Sequence, residues 1–473
     1  HMIKIQGSYA TARDLLQRAV ARMTPDDPRH VTFLNQMANA HLKQGQFTEA
    51  QQLVEQARQL AFSTGDQRGV ADSLSYLGVI AYHQGKYTPA RDFHQESLAI
   101  HQALGDQRGI GNSLHQLGNI AIQQADYDRA LDLYQHSLTI RQALGDQHGI
   151  AAGLSNMSHI ARIRAEYDLA LDLGQQSLII RQTLGDQRGV ADSLHNMGNV
   201  ALQRGDYDRA LDLYQQSLDI RQTLGDQQGI AASLHNMGNI AHAQGAYSRA
   251  RDLYQQSLDI RQALGDLHAI ADSVNNLGML AYQQGDHMRA IDFFQQSLDI
   301  RQQLGDQQGI ATALYNLGKI EMHQGDLTSA TTRYQQSFDI FEQLGVQLGM
   351  VITLCDLGWV AVRQKDPVAI RYLARSLALA HRIGIAAWQL FNLVGFAAFL
   401  SQTKQATRSA ALLGFVQQHP AATEDIRERL DGMMPQLEAT LTPDELQAAL
   451  ERGKALDLDA VVAKLLAEFG EET

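Results

Sequence analysis

The sequence predicts an all-α solenoid, a stack of helical hairpins closed by a helical C-terminal cap. Two observations predict it. Leu104-Gly105-Asp106-Gln107 returns at Leu144, Leu184, Leu224 and Leu304, a period of 40 residues, and no insertion breaks the register from Gly65 to Gly345. A period this strict means copies of one supersecondary unit, none of which buries its apolar face alone. The second observation is that no proline occurs between Ala90 and Asp366, as expected where nearly every residue is helical or in a tight turn.

The elements follow in chain order. His1-Met2 reads as a cloning remnant, and Gly7-Ser8-Tyr9 to Ala12 reads as a second helix whose first helix is missing. Residues 1–27 are therefore expected to hold a truncated half repeat, in a chain that is a piece of a longer one. Residues 28–384 are expected to form about nine repeats of 40 residues, with residues 385–473 an irregular capping region.

Within the copy 186–225, Val190, Leu194, Met197 and Ala201 recur at helical spacing and define a first helix. Gly205-Asp206 interrupts it, with Asp206 a natural N-cap for a second helix. That helix is expected to bury Tyr207, Ala210, Leu213, Tyr214, Ser217, Leu218 and Leu224. Gly225 supplies the left-handed stop and Asp226 caps the next first helix. Gly198 and Ala210 stand where paired helices must cross closely. Gly78, Gly118, Gly238, Gly278, Gly318 and Gly358 repeat the first of these, and Ala90, Ala130, Ala170 and Ala250 repeat the second.

One copy departs: Ser158 replaces the crossing glycine and Gly174 the aromatic of the Tyr214 phase. It reads either as drift or as a hinge or side pocket, in which case a ring restored at 174 should fill a gap. Pro367 shifts the register, although Ser376-Leu377 and Gly384 still echo the pattern. Beyond it, Thr442-Pro443-Asp444-Glu445 is a capping box with proline at the first helical position, and Ile385 to Glu468 reads as four or five irregular helices.

The residues Leu194-x-x-Met197-Gly198-x-x-Ala201, then Ala210, Tyr214 and Ser217, resemble the tetratricopeptide repeat in its 40-residue variety. The usual closing proline is replaced by the Leu-Gly-Asp turn. The resemblance covers about residues 28 to 384 and implies a right-handed superhelix whose first helices line the inner, concave wall. A second resemblance lies in the tail. Ser409 to Gly414, Glu451-Arg452-Gly453-Lys454-Ala455-Leu456 and the Val461-Val462-Ala463 helix are similar to the C-terminal end of bacterial signal-transduction ATPases with numerous domains (STAND). That implies a sensor array following a nucleotide-binding switch, and the switch domain itself is not in this sequence.

Composition excludes several classes. A net charge of -12 argues against nucleic acid and anionic membranes as partners. Half of that excess lies beyond residue 402, where 7 basic face 13 acidic side chains, so the repeats are only mildly acidic. The single cysteine, Cys355, excludes an internal disulfide and fits a reducing cytoplasm. The most apolar stretch, Ala386 to Leu400, is too short to span a bilayer. No phosphate loop, Gly-x-Ser-x-Gly elbow or His-Glu-x-x-His helix occurs, and Cys355 has no histidine placed to activate it. The expectation is a non-enzyme with no catalytic residues, no metal and no cofactor.

What recurs is polar and neutral. Arg188, Asp192, His195, Asn196 and Asn199 share the first-helix face opposite the apolar stripe. Asn156, Asn196, Asn236, Asn276 and Asn316 form one column, continued by Gln116; Asn119, Asn199 and Asn239 form a second; His115, His195 and His235 form a third. A primary amide both donates and accepts. Successive first helices recur at roughly 10 Å while an extended chain advances about 3.3 Å per residue, so one asparagine per repeat meets the main chain every third residue. The other reading is a solvated polar face that only prevents aggregation. The leading expectation is a cytoplasmic sensor region that binds a peptide or protein segment through this ladder. The alternative is a scaffold that holds folded partners on its convex or edge surfaces.

Overall fold

The computed structural model describes residues 18, 23, 27 and 29–470, so the half repeat read from Gly7 to Ala12 lies outside the described residues. Every regular element among them is an α-helix. The chain divides into two compact units, residues 1–236 and 237–473. In the first, the first helices Gln67–His83, Gln107–Gln123, Gln147–Ile163 and Gln187–Arg204 alternate with the second helices Tyr87–Ala103, Tyr127–Ala143, Tyr167–Thr183 and Tyr207–Leu224. In the second unit, Leu267–Gln283, Gln307–Gln324 and Gln347–Gln364 alternate likewise with His287–Leu304, Leu327–Leu344 and Ala369–Arg382. No helix among the described residues is long and apolar enough to cross a membrane.

Short polar residues start these helices. Asp186 accepts from the Gly189 N–H and Asp206 from the Arg209 N–H, with the same caps at Asp106, Asp146, Asp266 and Asp306. Each cap satisfies a donor that the helix cannot, a contribution of about 1 kcal/mol. Gly225 ends its helix at φ 66°, a backbone state in which a Cβ is strained.

The crossing glycines have a sharper purpose than close approach of helix axes. A Cβ at Gly198 would stand 2.7 Å from the Tyr214 ring, and one at Gly118 or Gly238 would meet Tyr134 or Tyr254 at the same distance. Each glycine makes room for a fully buried ring of its own hairpin. Ser217 Oγ donates to the Ala191 carbonyl at 2.8 Å, a bond repeated by Ser97, Ser137, Ser297 and Ser337. Ala210, Leu213, Tyr214, Ser217 and Leu218 are buried as the pattern requires. Tyr207, however, is only half-buried, and Leu224 is exposed at the last position of its helix.

Judged from its own helix, Arg221 belongs to a solvated outer face, yet it is buried. Its guanidinium donates to the Gly229 carbonyl at 2.8 Å and to Asp192 at 2.9 Å, tying one hairpin to the next first helix. Arg181, Arg261 and Arg301 make the matching bonds in their own copies.

The irregular copy holds no gap. A Cβ at Gly174 would lie 2.8 Å from Met197 Cγ, and Ser158 Oγ, 3.5 Å from the same point, donates to the Ala170 carbonyl at 2.6 Å. Serine and methionine occupy the volume that a ring fills elsewhere. Gly174→Tyr is therefore expected to lower stability by about 1–3 kcal/mol through overpacking. Adding Ser158→Gly should recover most of it by restoring the glycine and ring pair. A urea midpoint that rises for Gly174→Tyr alone would contradict this packing.

Residues 385–470 fold as Ala386–Gln402, Ala406–Gln418, Glu424–Glu438, Pro443–Lys454 and Leu458–Phe469. Thr442 and Glu445 form the reciprocal capping box. Leu373, Leu390, Phe396, Leu413, Leu437 and Val462 share one apolar core, which makes these helices continuous with the last hairpin.

Candidate functional site

The polar face of the first helices is a network before it is a surface. Tyr134 donates its hydroxyl to Asn119 Oδ1 at 2.7 Å, and Asn156 donates to the same oxygen at 3.0 Å from the next first helix. Tyr214, Asn199 and Asn236 repeat this at 2.6 and 3.0 Å. In the second unit Tyr254, Asn239 and Asn276 do so at 2.8 and 3.2 Å. Burial pushes all three phenols far above their ordinary range, so the hydroxyls stay protonated donors.

The two asparagine columns thus do different things. Asn119, Asn199 and Asn239 satisfy buried tyrosine hydroxyls, as a buried polar atom requires. The outer column spends its N–H₂ on its neighbour. Among the described residues, the Oδ1 of Asn156 and of Asn236 accepts no hydrogen bond, so each presents an acceptor. Asn316 is buried and donates to Asn275 Oδ1 at 3.0 Å. Asn196 differs from all of these: it is exposed, and its side chain makes no hydrogen bond among the described residues. The reason is local, since the copy before it carries Gly174 and His159 in place of the tyrosine and asparagine that would engage it.

The other predicted residues are brought to the same wall in supporting positions. His115 and His195 lie half-buried, their rings 5.3 and 5.2 Å from those of Tyr134 and Tyr214. Burial, and secondarily Arg141 and Arg221, hold both imidazoles neutral down to about 4. His235 is half-buried on the same phase. Arg188 faces Asp226 at 3.7 Å, and Asp192 is the partner of Arg221. Cys355 is fully buried, and burial pushes its thiol well up.

Two departures from the repeat make cavities. In the first unit His94 and His101 stand at the phases of Tyr134 and Arg141. The shorter side chains open about 380 Å³ lined by Asn35, Gln36, Asp72, Tyr76 and Asn112. In the second unit Tyr315, Lys319 and Asp356 stand where other copies carry histidine or asparagine. Lys319 and Asp356 line a cavity of about 350 Å³ together with Tyr282, Tyr334, Arg363 and Arg429. Asp356 is buried and accepts from the Tyr315 hydroxyl at 2.8 Å. Burial raises its pKa, against the pull of Arg429, the Tyr315 hydrogen bond and Lys319. The replacement of an asparagine column member by Asp356 is visible in the repeat phase, whereas nothing in the sequence brings Arg429 beside it.

The family model described as tetratricopeptide repeat matches residues 69–143, 149–223, 229–303 and 309–382, and another of the same description matches 5–65. No curated protein matches. Among solved structures, the apo form of the quorum sensor NprR from B. thuringiensis is similar at TM-score 0.56 and 12% identity, covering 79% of this chain and 99% of that one. A STAND protein with a tetratricopeptide repeat sensor from Pyrococcus horikoshii is similar at TM-score 0.51 and 13% identity, covering 74% of this chain and 55% of that one. Aspartyl phosphate phosphatase F from Bacillus subtilis is similar at TM-score 0.50 and 14% identity, covering 75% of this chain and 94% of that one. At these identities the likeness is one of fold.

Proposed function

This chain belongs to the tetratricopeptide repeat family, and from that premise we propose that its first-helix wall binds an extended peptide or protein segment. In this reading the chain is the ligand-sensing part of a larger STAND-type regulatory protein, with residues 385–473 as its cap, and it carries no catalysis. The observation that carries the reading is the set of amide oxygens at Asn156 and Asn236, which the protein leaves unengaged at one phase of the repeat. Acceptors at that phase suit the main-chain N–H groups of an extended segment. Asn196 adds a whole amide, donor and acceptor both. Arg188, Asp192 and the histidines lie on the same wall and are further candidate contacts for the ligand.

The experiment selects peptides from a random nine-residue library on the whole chain and measures them against two variants. Asn196→Ala should leave the urea midpoint almost unmoved, under about 0.5 kcal/mol. Asn236→Ala should cost about 1 kcal/mol for the lost inter-repeat bonds to Asn199, at 3.0 Å, and His195, at 3.4 Å. Each should weaken selected peptides roughly fivefold, with little dependence on salt because no charge is removed. A library that enriches nothing, or peptides indifferent to both variants, would reject the ladder.

A second reading, a scaffold for folded partners, is favoured by one observation. Leu104, Leu144, Leu184 and Leu224 are exposed at 48, 48, 37 and 39%, each just before a left-handed glycine in the first unit. Leu104 and Leu144 sit beside Arg68 and Arg108, at the N-terminal ends of first helices, and a partner seated there would be indifferent to Asn196.

A further inference from the structure

The lining of the cavity in the second unit carries more cations than carboxylates. Lys319, Arg363 and Arg429 reach it from three helices, and among the described residues none of the three makes an ion pair. Lys319 Nζ is held 5.2 Å above the Tyr282 ring and 5.9 Å from that of Tyr315. Arg429 lies 4.4 Å from the Phe391 ring and 4.8 Å from that of Trp359. Arg363 spends one donor on the Met322 carbonyl at 2.9 Å and keeps the rest of its fork. The acid lining this space is Asp356, buried, with one oxygen bonded to Tyr315 and no cation within ion-pair distance. Asp425 shares a helix with Arg429 but is exposed and does not line the cavity.

Three cations less one carboxylate leave two positive charges, the charge that a phosphate monoester brings at neutral pH. A phosphate also offers three oxygens, one toward each helix, where a carboxylate offers two. The free oxygen of Asp356 wants a donor, which a hydroxyl beside the phosphate supplies. The Tyr282 and Tyr334 rings give the ligand's body an apolar surface. About 350 Å³ is the scale of a small-molecule site. We infer that this pocket binds a phosphate monoester bearing a neighbouring hydroxyl, the chemistry shared by sugar phosphates and nucleoside monophosphates. The site lies between the repeats of the second unit and the helix Glu424–Glu438, so its occupant ties that helix to the wall. It stands independently of peptide binding.

Calorimetric titration of the whole chain with ribose 5-phosphate, AMP, inorganic phosphate and adenosine tests this. One or both esters should bind saturably, inorganic phosphate at least tenfold more weakly, and adenosine not at all. The two ester arms separate a sugar phosphate from a nucleotide. Lys319→Gln and Arg429→Gln should each weaken the ester roughly tenfold or more, the scale of one charge-assisted hydrogen bond. Circular dichroism confirms folding, and either variant alone suffices if the other misfolds. Asp356→Asn should erase the preference for ester over inorganic phosphate. Heat from neither ester at millimolar concentration overturns the assignment. So does adenosine binding as well as AMP, inorganic phosphate equalling the esters, or an affinity unmoved in the folded variants.

Discussion

Acidification from pH 7 toward 4.5 is expected to destabilise the protein by several kcal/mol, well before most carboxylates titrate. His94 is fully buried, and desolvation lowers its pKa from 6.5 to about 4. His115 and His195 are lowered to about 4 for the same reason. In the unfolded chain each imidazole binds a proton near pH 6.5, whereas the folded protein refuses it until about 4. The stability tied to neutral histidine is thus complete above pH 6.5 and lost progressively as pH falls through that window. The shift at His94 corresponds to about 3 kcal/mol, and the half-buried pair contributes less. Urea unfolding at pH 7, 6, 5 and 4.5 measures it. The variant His94→Phe should flatten part of the slope without loss of packing. The Phe294 copy shows that an apolar ring suits this phase when the facing residue is apolar, as Met279 is there and Val79 is here. A stability unchanged between pH 7 and 5 would mean that these imidazoles are not held neutral by burial.

Gly453→Ala is expected to be the most damaging single methyl in the chain. A Cβ there would fall inside contact distance of the Ala411 carbonyl and 2.9 Å from the Phe415 nitrogen, and one at Gly414 would collide with the Leu450 backbone. The helices Ala406–Gln418 and Pro443–Lys454 therefore touch main chain to main chain. Backbone cannot swing aside as a side chain does, so the cost should be about 3 kcal/mol or more, with the C-terminal helices releasing first. Gly432→Ala is the control. Nothing lies within 4 Å of its Cβ, and the helix Glu424–Glu438 should gain up to about 1 kcal/mol there. Melting and limited proteolysis read both variants, and a Gly453→Ala protein that melts like the parent would refute the close crossing.

The repeat, both helices of each hairpin, the aspartate caps and the left-handed glycines were legible in the sequence. Each depends on neighbours within a few residues, where helical spacing and backbone sterics act directly. The polar columns were legible as columns, since phase alone fixes which residues share a face. Their division of labour was not. Asn119 meets Tyr134 across 15 residues and Asn156 across 37, and only the packed hairpins bring these together. A trace of it does exist in the sequence. Tyr134, Tyr214 and Tyr254 accompany Asn119, Asn199 and Asn239, while Phe294 accompanies Met279 and Gly174 accompanies His159. The hydroxyl and its acceptor come and go together in these copies, and Tyr334 is the exception, with Lys319 at the asparagine phase and Met322 Sδ 3.8 Å from its hydroxyl.

Arg221 and the second-unit pocket mark the remaining boundary. A charged residue at an outward phase reads as solvated because periodicity ranks a side chain by its own helix, and it cannot see the next hairpin closing over it. Arg429 joins Lys319 and Asp356 from more than 70 residues away, on a helix whose sequence says only that it is amphipathic. Local sequence thus determined what each helix is and which face it buries. The tertiary stack decided which polar groups are spent on one another and which are left for a ligand, because hydrogen-bond partners and charge balance are set by distance in space.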